Sequence, residues 1–228
     1  MDTSLSTDFL QLIKTRRSIR GPLLDATVAI SDDEITMLMD AARFAPSGSN
    51  AQSWYFILIE NKSIIEQFVT LTKEKVEEIS KAIEGQSHAA EISLYLKNFY
   101  SFAGAPYLMV FCIRKRDNPL MRYLRVGDKF KDELLALSNT EIISISMAME
   151  NFALMAHALN IGTCVMTGPL LVREQMEKIL ELHASYSIVA LSTVGKIRKV
   201  GEVAEIDKNY EMNVPRRKDI DKILKRVK

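Results

Sequence analysis

The chain holds only two cysteines among its 228 residues, Cys112 and Cys164. Both lie inside apolar runs, without CxxC or metal-ligand spacing. That argues against a disulfide scaffold or structural zinc site and reads as buried thiols in a reducing cytoplasm. Glycine is sparse too. The nine glycines never form GxG, so the dinucleotide fingerprint is missing, as are the GxxxxGK[ST] phosphate loop and HExxH. Three scattered histidines, His88, His157 and His183, offer no Ser/His/Asp arrangement by spacing, and His157 reads as a packing or helix-surface residue. There is no excess of one charge: 30 Lys and Arg face 29 Asp and Glu. That balance speaks against nucleic acid as the main partner. No apolar run approaches the roughly 20 residues that cross a bilayer, and the polar, acidic start MDTSLSTDFL does not read as a signal peptide.

What is present is an ordinary globular composition, 47% hydrophobic and 26% charged, without repeats or linkers. It is read as one domain over residues 1–228. Thr7 or Asp8 is placed to cap a first helix with Phe9, Leu12 and Ile13 on its apolar face. Ser31-Asp-Asp-Glu34 is a capping box ahead of a second helix that must stop near Ala45, because Pro46 disfavours helical geometry before it. WYFILIE at 54–60 and YLMVFCI at 107–113 read as strands, with helices at 62–84 and 89–103 between them. Segment 114–137 has no clear period and reads as a lid or excursion. The strongest helix, 139–160, is apolar nearly all round and expected to be buried on several sides. Strands at 163–167 and 187–195 flank a helix at 172–182, and a short amphipathic piece ends at Val227. The fold class is α+β: a small sheet packed against many helices.

Three polar clusters carry the chemistry. The first is TRRSIR at 15–20. Arg16 and Arg20 share a face whether the stretch is helical or extended, with Ser18 between them. Guanidiniums held together repel unless an anion or acidic partner compensates, and a phosphate monoester would suit. The alternative is a helix C-terminus whose dipole welcomes Lys14, Arg16 and Arg17. The second is Ala45-Pro-Ser-Gly-Ser-Asn-Ala-Gln-Ser-Trp54, richer in donors than a turn requires. It is suited to a polar heterocycle, or is a turn bonding its own backbone. The third is Cys164-Val-Met-Thr-Gly-Pro169, where a strand end lets backbone approach a ligand, with Arg216 and Arg217 far downstream; the alternatives are a plain strand-end turn and a basic surface tail.

Together these clusters resemble the FMN-dependent nitroreductase family over nearly the whole chain and in the family's order. RRSIR is similar to its RxSxR phosphate-binding segment, and AARFAPSGSNAQSW to its helix-end motif. The run from Asn151 through LMAHALNIGTCVMTG resembles its central helix and following strand, and a late PRRK precedes an apolar piece. The resemblance implies a mainly antiparallel central sheet within an intertwined homodimer. It implies that Arg16, Ser18 and Arg20, with Arg17 nearby, hold the FMN phosphate and ribityl region, joined by Arg217 or Arg216. Pro46, Ser47, Ser49, Asn50 and Gln52 would reach the flavin from the other subunit. Thr167 and Gly168 would present N–H groups near flavin N5, and Asn98 would meet the ring. The strand end reads VMTGP where several family members carry an acidic residue, and Pro169 lacks an N–H.

The resemblance further implies a cytoplasmic NAD(P)H oxidoreductase. Hydride would pass from NADH or NADPH through flavin N5 to a nitroaromatic, quinone or activated alkene, by a ping-pong cycle that needs no catalytic acid, nucleophile or metal from the protein. Read from the irregular segment itself, Arg122, Tyr123, Arg125 and Phe130 would either cover the ring as a substrate lid or lie in an exposed loop with snorkelling arginines. Reductive dehalogenation, flavin fragmentation, ring dehydrogenation and a non-catalytic flavin sensor or store are the alternatives.

Overall fold

A computed structural model describes residues 3–115, 139–198 and 217–227. The chain divides into two units, Met1–Ile197 and Arg198–Lys228. Among its described residues the second unit contains one 3-10 turn, Ile220–Lys222, with Lys222 Nζ donating to Asp219 at 2.9 Å.

The first unit is built on an antiparallel sheet of five strands: β1 (Leu24–Asp25), β2 (Trp54–Ile59), β3 (Tyr107–Arg114), β4 (Ile161–Met166) and β5 (Tyr186–Ile197). The long β5 is its spine. Val194 pairs with both Tyr107 and Thr163, so β3 and β4 flank β5 on opposite sides. β2 lies beyond β3, and β1 extends the β3 side with Leu24 opposite Ile197. β3 is a continuous apolar run because both its faces are covered. Successive side chains alternate, yet Leu108, Met109, Val110, Phe111 and Cys112 are all buried. A β-bulge after Phe111 shifts the β3–β5 register by one residue. Glu177 accepts the Ile188 N–H at 2.9 Å beside it.

Among the described residues six helices pack around this sheet: α1 (Thr3–Thr15), α2 (Asp32–Arg43), α3 (Lys62–Ala82), α4 (Ala89–Leu96), α5 (Thr140–Ala158) and α6 (Arg173–Ile179). α2 opens with the expected capping box, Ser31 and Glu34 bonding each other's backbone N–H. Small residues on α5, Ala148 and Ala156, bring it close to the sheet and to Leu38 and Ala42 of α2. Phe152 reaches from α5 to meet Phe111 edge-on, ring centroids 5.6 Å apart, and Phe111 meets Phe56 the same way at 5.9 Å. These perpendicular contacts suit the aromatic quadrupole. α3 buries Ile65, Phe68, Thr72 and Val76 and packs against β2, β3 and the turns after α4 and β4.

Several boundaries differ from expectation for local reasons. α1 begins at Thr3, upstream of Thr7 and Asp8, because Leu5 continues the apolar stripe of Phe9 and Ile13. The helix expected at 89–103 stops at Leu96 and tightens into a 3-10 turn, Lys97–Tyr100. There the Asn98 carboxamide donates back to the Tyr95 carbonyl at 3.0 Å and competes with the helical ladder. Asn160 adopts a left-handed φ of 55°, which turns the chain in one residue after α5 and lets β4 start at Ile161, two residues early. α6 is shorter than expected, running from Arg173 to Ile179, and two-residue β1 was not foreseen. α5 is not enclosed on all sides: Ile142, Ile143 and Met147 are exposed. Most of the 114–137 segment, including Arg122, Tyr123, Arg125 and Phe130, lies outside the described residues, as does Arg216.

Candidate functional site

The TRRSIR stretch begins as helix and ends as strand. The Arg16 N–H still bonds back to Leu12 at 3.1 Å. The chain then extends, Ser18 forms a parallel bridge with Thr163, and the Ile19 N–H donates to the Thr163 carbonyl at 2.7 Å. Ile19 is buried and its carbonyl accepts from Thr193 Oγ1 at 2.7 Å. The Gly21 N–H donates to the Ser101 carbonyl at 2.9 Å. An extended chain anchored at Ile19 and Gly21 turns the alternate residues Ser18 and Arg20 the other way.

Both line a cleft of about 620 Å³ at the end of β4. Asn98, Phe99 and Ser101 form a second wall; Cys164, Val165, Met166, Thr167 and Gly168 lie along the strand end, with Tyr95, Leu170 and Leu171 at the rim. Gly168 is needed for packing, because a Cβ there would lie 2.4 Å from the Phe99 ring. Tyr95 stands edge-on to Phe99 at 5.5 Å. The Cys164 thiol is buried, and burial raises its pKa against the opposing pull of Arg20, a Ser18 hydrogen bond and Arg16. Burial, with the Glu177 charge adding to it, pushes Cys112 up to about 12. Both cysteines are free, and neither is poised as a thiolate nucleophile.

The cleft therefore unites Ser18, Arg20, Asn98, Thr167 and Gly168 from three separated stretches of sequence. Arg16 is half-buried nearby, its Nε 3.9 Å from Glu150 of α5. Arg17 folds back, and its guanidinium donates to the Lys14 and Arg16 carbonyls at the end of α1. Pro46, Ser47, Ser49, Asn50 and Gln52 do not line this cleft. Their loop lies at the start of α5, where the Gly48 N–H donates to Ser144 Oγ at 3.2 Å. Ser49, Asn50 and Gln52 all have positive φ, held in part by the Gln52 N–H bond to Ser47 Oγ at 3.1 Å. Arg217 belongs to the second unit and is exposed. Sequence reasoning missed Tyr95, Phe99, Ser101 and the rim leucines: the aromatic and aliphatic side chains give no chemical signal until β4 and α4 converge, and a single serine gives none by itself.

The donor set has a definite chemistry. Its hydroxyl and guanidinium suit an anionic ester, while its carboxamide and its aromatic and aliphatic side chains suit a planar polar ring. Among the described residues no group of three or more His, Cys, Asp or Glu could hold a metal ion, and no helix is long and apolar enough to cross a membrane.

An antiparallel sheet between helical layers, with such a cleft at the end of an edge strand, defines an α+β protein of the nitroreductase-like fold. The chain belongs to the nitroreductase family, whose family model matches residues 13–196. It is 26% identical over 198 residues to the protein named NAD(P)H nitroreductase YodC of Bacillus subtilis, covering 85% of this chain and 91% of that one. A 100-residue stretch is 32% identical to the one named NAD(P)H nitroreductase YdgI of the same organism, 43% of this chain, and spans 47% of that relative's length. A BluB-like flavoprotein of Clostridium difficile 630 shares the fold at a TM-score of 0.78 and 24% identity, covering 96% of this chain and 98% of that one. A nitroreductase with bound FMN from Desulfitobacterium hafniense does so at 0.65 and 20%, covering 97% and 98%.

Proposed function

We propose that the protein is an FMN-dependent NAD(P)H oxidoreductase acting as a homodimer on electron-poor acceptors such as nitroaromatics, quinones or activated alkenes. The observation that carries this reading is the cleft that gathers Ser18 and Arg20 with Asn98, Thr167 and Gly168. Ser18, Arg20 and the adjacent Arg16 would hold the phosphate, with Arg17 and a tail arginine, Arg217 or Arg216, adding positive field. Asn98 would read the ring edge, and the Thr167–Gly168 backbone would border its reactive centre. FMN, when bound, supplies the hydride relay between nicotinamide and acceptor. The described chain contributes position and electrostatics: fixed cationic donors at the phosphate and a largely apolar rim that limits water. Reduced nicotinamide and acceptor would use the same opening in turn, giving ping-pong kinetics, with Arg122, Tyr123, Arg125 and Phe130 as a substrate-selecting lid.

The loop bearing Pro46, Ser47, Ser49, Asn50 and Gln52 would serve the cleft of a second copy. Phe44 beside it is 74% exposed, and α1 and α5 expose Leu5, Phe9, Leu10, Ile142, Ile143 and Met147. That is much apolar surface for water to cover, and obligate dimers bury about 2,000–5,000 Å².

The visible spectrum of the purified protein, with steady-state NADH and NADPH oxidation against a quinone and a nitroaromatic, tests the reading. A colourless monomer that takes up no FMN would refute it; bound FMN without turnover would favour a flavin-binding sensor or store. Arg20→Ala should fold and lose most of its FMN, and full occupancy in that variant would refute the assignment of that arginine.

A further inference from the structure

His157 takes no part in the proposed chemistry, yet α5 directs it at the anion-binding segment. Its Nε2 lies 2.9 Å from Thr15 Oγ1. Thr15 is the last residue of α1 and immediately precedes Arg16. The threonine hydroxyl has one hydrogen, which it donates to the Gln11 carbonyl four residues back at 2.8 Å. The oxygen is then an acceptor toward the imidazole, so Nε2 carries the hydrogen. One helix face of α5 thus grips two consecutive residues. His157 holds Thr15, and Glu150, seven positions earlier and so nearly in line, sits 3.9 Å from Arg16.

These grips lie where α1 ends and the chain changes from helix to strand. Beyond them, the extended part is fixed by the bonds at Ile19 and Gly21. Without the grip on Thr15, the helical end of the segment would keep the longer Glu150 contact to α5. The charged groups that act on His157 are Arg16 and Arg17 from the segment after α1; β4, packed against α5, carries no charged residue. Burial, then Arg16 and Arg17, lower the imidazole pKa, which keeps the ring in its neutral form.

We propose that His157, as a neutral Nε2–H donor to Thr15, is a positioning residue for the phosphate-binding segment Arg16–Arg20. The proposal rests on the FMN reading for the identity of the anion. Apo-protein is titrated with FMN and, separately, with riboflavin, which lacks the phosphate, for wild type, His157→Ala and His157→Gln. Glutamine places an amide N–H near the position of Nε2. His157→Ala should weaken FMN binding about fivefold, the scale of one lost hydrogen bond. His157→Gln should restore it to within about twofold, and riboflavin affinity should stay the same in all three. Imidazole nitrogen-15 shifts of the wild type should report the Nε2–H tautomer. An equal loss for FMN and riboflavin, failure of glutamine to rescue, or an Nδ1–H tautomer would overturn the proposal while leaving the FMN reading intact. A wild-type protein that takes up no FMN would overturn both.

Discussion

Replacing Gly21 with alanine probes how the Ser18–Arg20 wall is seated. A Cβ there would lie 2.2 Å from the Ala103 carbonyl oxygen and 2.6 Å from that of Phe102. These are backbone atoms of the turn before β3, so no side-chain rotation relieves the clash. The two segments must part by on the order of 1 Å to restore normal contact, straining the 2.9 Å bond from the Gly21 N–H to Ser101. Overpacking costs about 1–3 kcal/mol and the weakened hydrogen bond about 1 kcal/mol more. Unfolding free energy should therefore fall by about 2–4 kcal/mol, and Tm by roughly 5–15 °C for a chain of this size. Arg20 precedes the clash, and Ser101, bonded to Gly21, also lines the cleft, so FMN affinity should fall about tenfold as well. Circular dichroism melts and FMN titration by flavin fluorescence measure the two effects. Gly85 is the control: its φ is +81° but nothing lies within 4 Å of a built Cβ. Gly85→Ala should cost about 1 kcal/mol from backbone strain alone and leave FMN binding unchanged. A Gly21→Ala protein with wild-type Tm and wild-type FMN affinity would refute the close seating of this segment.

Phe152→Ala should destabilise by about 3–5 kcal/mol, because the ring is fully buried against Phe111; denaturant unfolding reads the loss. Ser31→Ala should cost about 1 kcal/mol by removing the hydroxyl that accepts the Glu34 N–H. The bond from Lys196, then the Ser31 N–H, holds Glu34 below the usual carboxylate value of 4.5. Its stabilisation is present above that value and lost as pH falls through the lowered one, so Lys196→Met should flatten the acid limb of a stability–pH curve. His157 runs in the same direction at higher pH. Its pKa lies below the usual 6.5, so the unfolded chain takes up the proton first and stability declines as pH drops under 6.5. His157→Gln should remove that decline, and a curve matching wild type between pH 5 and 7 would show that the ring is not protected from protonation.

Much of this protein was legible in local sequence. The Ser31–Glu34 box marks the start of α2 because a cap is made by residues three apart; the run at 107–113 marks a buried strand because a strand covered on both faces needs apolar side chains throughout, and the aromatic and β-branched run at 54–60 marks a strand by composition. The clusters at 15–20 and 164–169 stood out because converging guanidiniums call for an anion and a strand end lets backbone approach a ligand. Tertiary structure alone decided which of those donors meet. Ser18 and Arg20 face the cleft while Arg17 turns back onto α1, a division set by the pairing of Ile19 with Thr163 and Thr193, far away in sequence. The apolar rim from Tyr95 to Leu171 and the contact between His157 and Thr15 depend on helices packing across the sheet. Local patterns record the preferences of neighbouring residues, whereas a binding cleft is made by contacts that close long loops, and those exist only once the core has formed.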